Sequence, residues 1–432
     1  MTSYIWPIVL FLAIAVVTWV AYIKITFRFW CQSTAFHRYD LSTYFRPAGL
    51  NRTQPPPPPP SPSPSCLLEK VRIWDLSYLD LKGYPSVQNV WNFLMNYSPL
   101  LGIPDAQWES HILPLLIGHN FATTFVGIFR SEQEELVALG ISRAIQITMN
   151  RVSLSSSILS LSVPAALMDL VAIHSDFQVH KDHYYENMLS NLQCYLNPHK
   201  GKVPVILISS LDDEWQGPSK ILVPLLSYDQ FEIPNPVSDK ASIHFPDNAG
   251  IRVDRCTKKN FHWFAQFLIG IHQSQQYDLE MMAEPANLLG LIESNPPLLI
   301  VYLLSDSRHK TVLGAYLFKP KPKDGLHFVG SIYGETRLVG RYKNSEIVYN
   351  ITSSEFFMGL KIALAAMVDD DDDNAAFYPF VWHNVGDNIV LWEQWRKNAV
   401  HDGKSPTKHK NNWYTLGLSY WSRNPVEALL LF

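Results

Sequence analysis

A mixed α/β protein of two similar lobes, each built on a mixed sheet and both carried behind one N-terminal transmembrane helix, is what the hydrophobic pattern of this sequence implies. Three observations lead there. The order strand, strand, strand, helix, strand occurs twice along the chain. The length of 432 residues exceeds what one hydrophobic core usually supports. No charged side chain interrupts Met1 to Ile23.

Composition narrows the function classes before any motif is considered. With 47% hydrophobic and 13% aromatic residues, the chain can bury large cores. A net charge of −4 and a pI near 6.4 provide no basic field to neutralise phosphate, which excludes nucleic acid as a partner. Cys31, Cys66, Cys194 and Cys256 are widely spaced and form no Cys-x-x-Cys pair. Neither a zinc site nor a disulfide framework is indicated, and such usage suits a reducing compartment.

Tyr4 to Ile23 is long enough to cross a bilayer as one helix, with Trp6, Trp19 and Tyr22 toward its ends, where aromatic rings favour the interface. A cleaved signal peptide would need a positive start and a small-residue cleavage site, and neither is clear. Lys24, Arg28 and Arg38 follow the span while nothing basic precedes it, so residues 1–26 form an anchor and the globular part is expected to face the cytosol. Residues 27–66 then hold a basic, aromatic arm, Phe27 to Ser33, and a proline run from Pro55 that reads as an extended spacer.

The first lobe is expected over 67–250. It opens with a helix at Val87 to Tyr97, followed by strands at Ala122 to Phe129 and Glu135 to Ile147 joined by a polar turn. Leu167 to Ile173, apolar apart from Asp169, reads as a buried strand; Tyr185, Met188, Leu189, Leu192 and Leu196 then fall at helical spacing, and Val203 to Ser209 is a further strand. The second lobe, 251–432, repeats the order: a helix at Lys259 to Gln273, strands at Pro297 to Leu304, Val312 to Phe318 and His327 to Tyr333, a helix at Ser354 to Val368 and a strand at Phe377 to Trp382. The repeat is one of architecture rather than of residues. Asp369 to Asp373 reads as a solvated acidic insertion.

The run from His174 to Lys181 joins a strand to a helix. Such a junction exposes backbone N–H groups at a helix N-terminus, where the dipole favours phosphate. An ordinary strand–helix unit is the commoner meaning of this pattern, and only Lys181 is unambiguously basic.

The ordered set of motifs resembles the N-myristoyltransferase family, two fused acetyltransferase-type (GNAT-like) lobes. Phe27-Arg-Phe-Trp30 with Cys31-Gln32 resembles the family's Tyr-x-Phe-Trp element, and Val71 to Leu81 its Phe-x-Trp-x-x-Leu-Asp-Leu run. Leu170-Val-Ala-Ile-His174 stands where the family has Phe-Leu-Cys-Val-His, and Gly330-Ser-Ile-Tyr333 resembles its Tyr-Ser-Phe-Tyr strand. His401-Asp-Gly403, Leu418-Ser-Tyr-Trp421 and the apolar run Val426 to Phe432 follow the order of its last three elements.

The resemblance implies transfer of a myristoyl group from myristoyl-CoA to the N-terminal glycine of proteins near a membrane. It implies backbone N–H groups of Leu170 and Val171 as oxyanion donors and the α-carboxylate of Phe432 as base. Acyl-CoA, the co-substrate, would be held by Phe27, Arg28, Phe29, Trp30, Gln178, Val179, His180, Lys181 and Asp182. The glycine peptide would meet Ser209, Ser210, Tyr333, Asp402 and Gly403. No tightly bound cofactor and no metal are expected, since His174, His180, His183, His244 and His262 form no His-x-x-x-His pair; a monomer is expected. The sequence departs from the family at two binding motifs. Gln178-Val-His-Lys181 replaces a basic run, and Ile208-Ser-Ser-Leu211 replaces Tyr-Thr-Ala-Gly. A membrane-anchored relative without catalysis, using the fold for binding or structure, is therefore the alternative.

Overall fold

The computed structural model describes residues 5–26, 49–50, 69–98, 107–130, 135–150, 160–199, 205–210, 222–233, 245, 250–307, 311–321, 325–334, 351–370, 380–398, 407–416, 418–419, 425 and 428–431. Helix α1 (Ile5–Thr26) comes first, and Leu10, Phe11, Leu12, Ile14, Val16 and Val17 are all exposed on it. Its described side chains run only from 10 to 19 and 21 to 22. Among the described residues no helix is long and apolar enough to cross a membrane, so the transmembrane anchor expected from the sequence is not supported by the structure.

The globular part is organised by a mixed sheet of 14 strands. A separate ladder pairs β1 (Gly49–Leu50) with a short strand late in the chain, Leu418–Ser419. The first half lays down β2 (Glu69–Asp75), α2 (Val87–Tyr97), a π-helical turn (Trp108–Ile112) leading into the short α3 (Leu113–Leu116), and then β3 (Thr124–Arg130), β4 (Glu135–Met149) and β5 (Leu161–Ile173). It continues with α4 (Lys181–His199), β6 (Val205–Ser210) and β7 (Val223–Ile233). Local chemistry accounts for these elements. Ser86 accepts the Asn89 N–H at 3.1 Å and caps α2, whose buried face is Val90, Phe93 and Leu94. On α4 the buried stripe is Tyr184, Met188, Leu189, Leu192 and Leu196, so Tyr184 rather than Tyr185 heads it.

The second half repeats the plan with β8 (Ile251–Arg255), α5 (Phe261–Ser274), an added strand β9 (Leu279–Met282), α6 (Pro285–Glu293), β10 (Ile300–Asp306), β11 (Thr311–Lys321) and β12 (Gly325–Tyr333). Then come α7 (Ser353–Asp370), β13 (Phe380–His383), α8 (Asn388–Asn398), β14 (Thr407–Leu416), β15 (Leu418–Ser419) and β16 (Ala428–Leu431). A reciprocal capping box starts α7: Thr352 N–H donates to Glu355 at 2.7 Å and Glu355 N–H to Thr352 Oγ1 at 3.2 Å.

Pairing confirms the repeat. In the first half β3/β4 and β4/β5 are antiparallel and β5/β6 parallel across α4; in the second β10/β11 and β11/β12 are antiparallel and β12/β13 parallel across α7. The halves then trade strands. β7, from the first, lies against β13 of the second, while β14, from the second, lies against β6 of the first, and β7 and β14 pair with each other. The central core accordingly mixes both halves: Ile145, Leu167 and Leu207 pack in one cluster with Met281, Trp413 and Leu430. Asn287, fully buried on α6, donates to the Pro114 and Ile117 carbonyls at 3.0 and 2.7 Å, satisfying the end of α3 from the other half.

Candidate functional site

Strand β5 changes face in its middle. Val163, Ala165 and Leu167 point into the central core and Ala166 and Met168 toward α4, but beyond Asp169 it is Val171 and Ile173 that meet α4, while Leu170 and Ala172 join the cluster under α2. The cause is a bulge. Ile141 pairs with Leu170 and Ser142 with Met168, so Asp169 is an extra residue with no partner in the register. Parallel pairing to β6 stops at the same point: it covers Ala165↔Val205 to Met168↔Ile208, although β5 runs on to Ile173 and β6 to Ser210. The two strands part there and open a wedge.

At its mouth lies the strand–helix junction. The helical run starts with a 3-10 turn at Ser175–His180 that passes directly into α4, and Lys181 N–H already donates to the Gln178 carbonyl. The helical run therefore begins about two 3-10 turns ahead of Lys181. His174 lies just before it, its Nδ1 accepting the Asp176 N–H at 3.3 Å and its ring 4.5 Å from that of Tyr97. Arg130 stands 5.2 Å over the Phe177 ring. Gln178 folds back onto the Ile173 carbonyl at 2.9 Å, whereas Val179 is 90% exposed and His180 and Asp182 are exposed beside the half-buried Lys181.

Behind the bulge sits a buried charge. Arg143 on β4 is 1% exposed and donates from Nε and Nη2 to Asp169 Oδ2 at 3.0 and 2.6 Å, while the Asp169 side chain keeps 20% exposure. Burying a guanidinium is costly unless a carboxylate is held against it, so the pair fixes the bulge. His119 bonds to the Leu115 carbonyl at 2.9 Å; burial pushes its pKa below the usual value, the hydrogen bond opposes this, and the Arg143 charge adds to the lowering.

The second half carries the same device, closed. Leu317 pairs with Gly330 and Phe318 with Phe328, so Val329 is the bulged residue, and β12/β13 pairing ends at Phe328↔Trp382 while β12 continues to Tyr333. Strand β16 runs through this region: the Leu430 carbonyl would lie 3.6 Å from a Cβ at Gly330, Gly386 N–H donates to Pro425 at 2.7 Å, and Ala283 N–H donates to Leu431 at 2.6 Å. Nearby, a buried network ties β7, β12, β13 and β14 together: His327 Nδ1 and His383 Nε2 are 2.9 Å apart, His383 Nδ1 and the Tyr228 hydroxyl 3.2 Å, and Asn411 donates to that hydroxyl at 2.9 Å. Burial pushes Tyr228 up to about 12, so the phenol stays neutral.

Of the residues expected from the sequence, the structure gathers Leu170, Val171 and Ser209 at the wedge, with Ser210 at the end of β6 opposite Asn412 of β14. Gln178 to Asp182 form the end of the 3-10 turn and the start of α4. Tyr333 lies at the far end of β12, where its N–H donates to Asp387 at 2.7 Å and its carbonyl accepts from Gln276 at 3.0 Å. Phe27, Arg28, Phe29, Trp30, Asp402, Gly403 and Phe432 lie outside the described residues. Arg143 and its bond to Asp169 were not expected. The available signal was one cation and one anion in two otherwise apolar strands.

No family model and no curated protein matches the sequence. Solved structures do. Saccharomyces cerevisiae N-myristoyltransferase with bound myristoyl-CoA is similar at TM-score 0.54 and 11% identity over 92% of this chain and 93% of that one. A second structure of that enzyme with myristoyl-CoA gives TM-score 0.56 and 10% identity over 92% and 89%, and one with myristoyl-CoA and inhibitors gives 0.55 and 11% over 88% of each. The chain thus has a mixed α/β fold like that of these N-myristoyltransferase structures.

Proposed function

We propose that this protein transfers an acyl group from acyl-CoA to an amine, with myristoyl-CoA as donor and the N-terminal glycine of proteins as acceptor. The observation that carries the reading is the first-half parting of β5 from β6, bulged at Asp169, entered by no described strand and leading to the start of a long helix. A thioester arm fits between parting strands, where unpaired backbone can approach its carbonyl. Leu170 and Val171 are the proposed oxyanion donors, and preorganised backbone donors of this kind typically lower a barrier by about 3–4 kcal/mol. His180 and Lys181 are the proposed contacts for the CoA phosphates, beside the helix start. Phe27 to Trp30, Ser209, Ser210, Tyr333, Asp402 and Gly403 keep their proposed binding roles, and the Phe432 α-carboxylate its proposed role as base.

Location at a membrane, with the globular part on the cytosolic side, is part of the same proposal. It is supported by the charge-free run Met1 to Ile23 and by the exposed apolar side chains of α1. Co-fractionation of the full chain with membranes is the expected result, and recovery wholly in the supernatant would count against it.

The test of function has two readouts. Myristoyl-CoA should raise the melting temperature of the full chain, because a ligand that binds only the folded state stabilises it by mass action. Single-turnover transfer to an N-terminal glycine peptide should follow. A melting shift without transfer would instead favour a binding protein on the same fold.

A further inference from the structure

We infer that strand β8 is a self-association edge: two copies of this chain add their β8 strands to each other, antiparallel, about a two-fold axis at Val253. β8 ends the sheet path and has β10 as its one neighbour among the described strands. Its outward side follows from the ladder. Cys256 N–H donates to the Val301 carbonyl at 2.7 Å and Ser307 N–H to the Gly250 carbonyl at 2.8 Å, on the same register that pairs Val253 with Leu304. Hydrogen-bonded and non-bonded pairs alternate along an antiparallel ladder, so Arg252 and Asp254 turn their backbone groups to β10, while Ile251, Val253 and Arg255 turn theirs away from it. A strand edge of this kind is a template for another strand.

Charge selects both the occupant and the register. Arg252 and Asp254 lie on the face opposite Ile251 and Val253, which pack into the second-half core. They form an ion pair at 2.7 Å and keep 48% and 38% side-chain exposure, so a strand laid alongside can reach them. A two-fold axis perpendicular to the sheet pairs residues of the same face, and it therefore passes through a residue rather than between two. At Arg252 it would set arginine against arginine, and at Asp254 aspartate against aspartate. At Val253 it sets Arg252 against Asp254 of the second copy twice over, in the non-hydrogen-bonded positions where side chains come closest, while the two Val253 residues exchange N–H···O=C bonds. The Arg255 carbonyl already accepts from Asn260 at 3.0 Å, which keeps the pairing short and centred on Val253. The corresponding edge of the first half, β2, offers no such match: centred on its middle residue, Arg72, it would oppose arginine to arginine and Glu69 to Asp75. From β8 the β5/β6 parting lies beyond β7 and β14, so both copies keep it.

The experiment is sedimentation equilibrium of the full chain across a dilution series, with a melting curve for each variant. A five-residue strand lies at the small end of specific interfaces, so the wild-type dimer is expected to form at about 10–100 μM. Arg252→Asp and Asp254→Arg should each weaken association about 10-fold by setting like charges opposite one another. An equimolar mixture of the two should associate as wild type does, because aspartate then faces arginine on both sides. Mixing cannot restore an ion pair lost within one chain, so the mixture separates pairing between copies from the stability of each. Val253→Pro, which removes the outward N–H and leaves the bonds to β10, should be folded and monomeric. A wild-type chain that stays monomeric up to millimolar concentration overturns the inference. So does association that survives Val253→Pro or either charge reversal, which would belong to another surface such as α1, and so does a mixture that associates no better than its components.

Discussion

The two halves make the same strand parting and treat it in opposite ways. In each, a bulge sits on the third strand of the repeat, at Asp169 or Val329, and parallel pairing to the next strand ends one residue before it, at Met168 or Phe328. The second half sends β16 past its parting, so apolar side chains such as Leu429 and Leu431 complete its core. The first half sends no described strand, and its bulge carries a buried ion pair. One strand parting thus carries an ion pair at its bulge while the other serves as a packing joint, a difference made by the placement of a four-residue strand.

The sharpest way to break this contrast is to charge the packing joint. Leu430 is buried in the central core, so Leu430→Asp should destabilise the whole chain by about 4 kcal/mol, the cost of burying a polar group without partners, visible as one lowered melting transition. An independent second melt confined to part of the chain would contradict the joint. The opposite change tests the first-half parting, which no described strand enters. Ser209, half-buried just beyond the last β5/β6 pair, should accept tryptophan with the fold intact, and Ser209→Trp should weaken myristoyl-CoA binding about 10–100-fold by overfilling the space. Unaltered affinity would place the acyl chain elsewhere.

Asn287 links the halves, and Asn287→Ala leaves the buried ends of α3 without a donor; a loss of about 1–3 kcal/mol in chemical denaturation is expected. The smallest effect concerns Glu280 on β9, which is fully buried and bonded to His272 at 2.7 Å. Burial raises its pKa, the bonds to His272 and Asn150 opposing. A carboxyl group whose folded value is raised contributes stability below its unfolded value and loses it as pH rises through the folded one. Glu280→Gln should therefore gain stability relative to wild type as pH climbs from about 4; a constant difference across that range would contradict the shift.

Much of this architecture was legible in the sequence. The sequence places the Val87–Tyr97 helix to the residue and β3, β4, β6 and β10 to β13 within about three residues of their ends, because long apolar runs bounded by polar turns state their own periodicity; β5 is found at its end, Ile173, but starts six residues earlier than expected, at Leu161. Strand β14 was not legible: Lys408, His409, Lys410, Asn411 and Asn412 have poor strand preference, and the buried Asn411 is accommodated only by the distant Tyr228 hydroxyl. Strand β9 hid for the same reason, its Glu280 requiring His272 and Asn150 as partners. The wedge itself escaped because periodicity reveals that a strand exists, not where its pairing stops. Asp169 stood out as the polar residue in an apolar strand, yet only the register shows it to be the inserted one.

The traded strands β7 and β14 bear on how the chain is made. A ribosome delivers β6 long before residue 407, so until then the edge that β14 will cover stays bare, and β7 has no second-half sheet to join. The first half cannot mature on its own schedule during synthesis. Pairings this far apart in sequence close slowly, and a half-made chain with exposed strand edges is a substrate for aggregation and for holding chaperones. The dependence is mutual, which makes a chain cut near residue 250 a poor candidate for a soluble fragment.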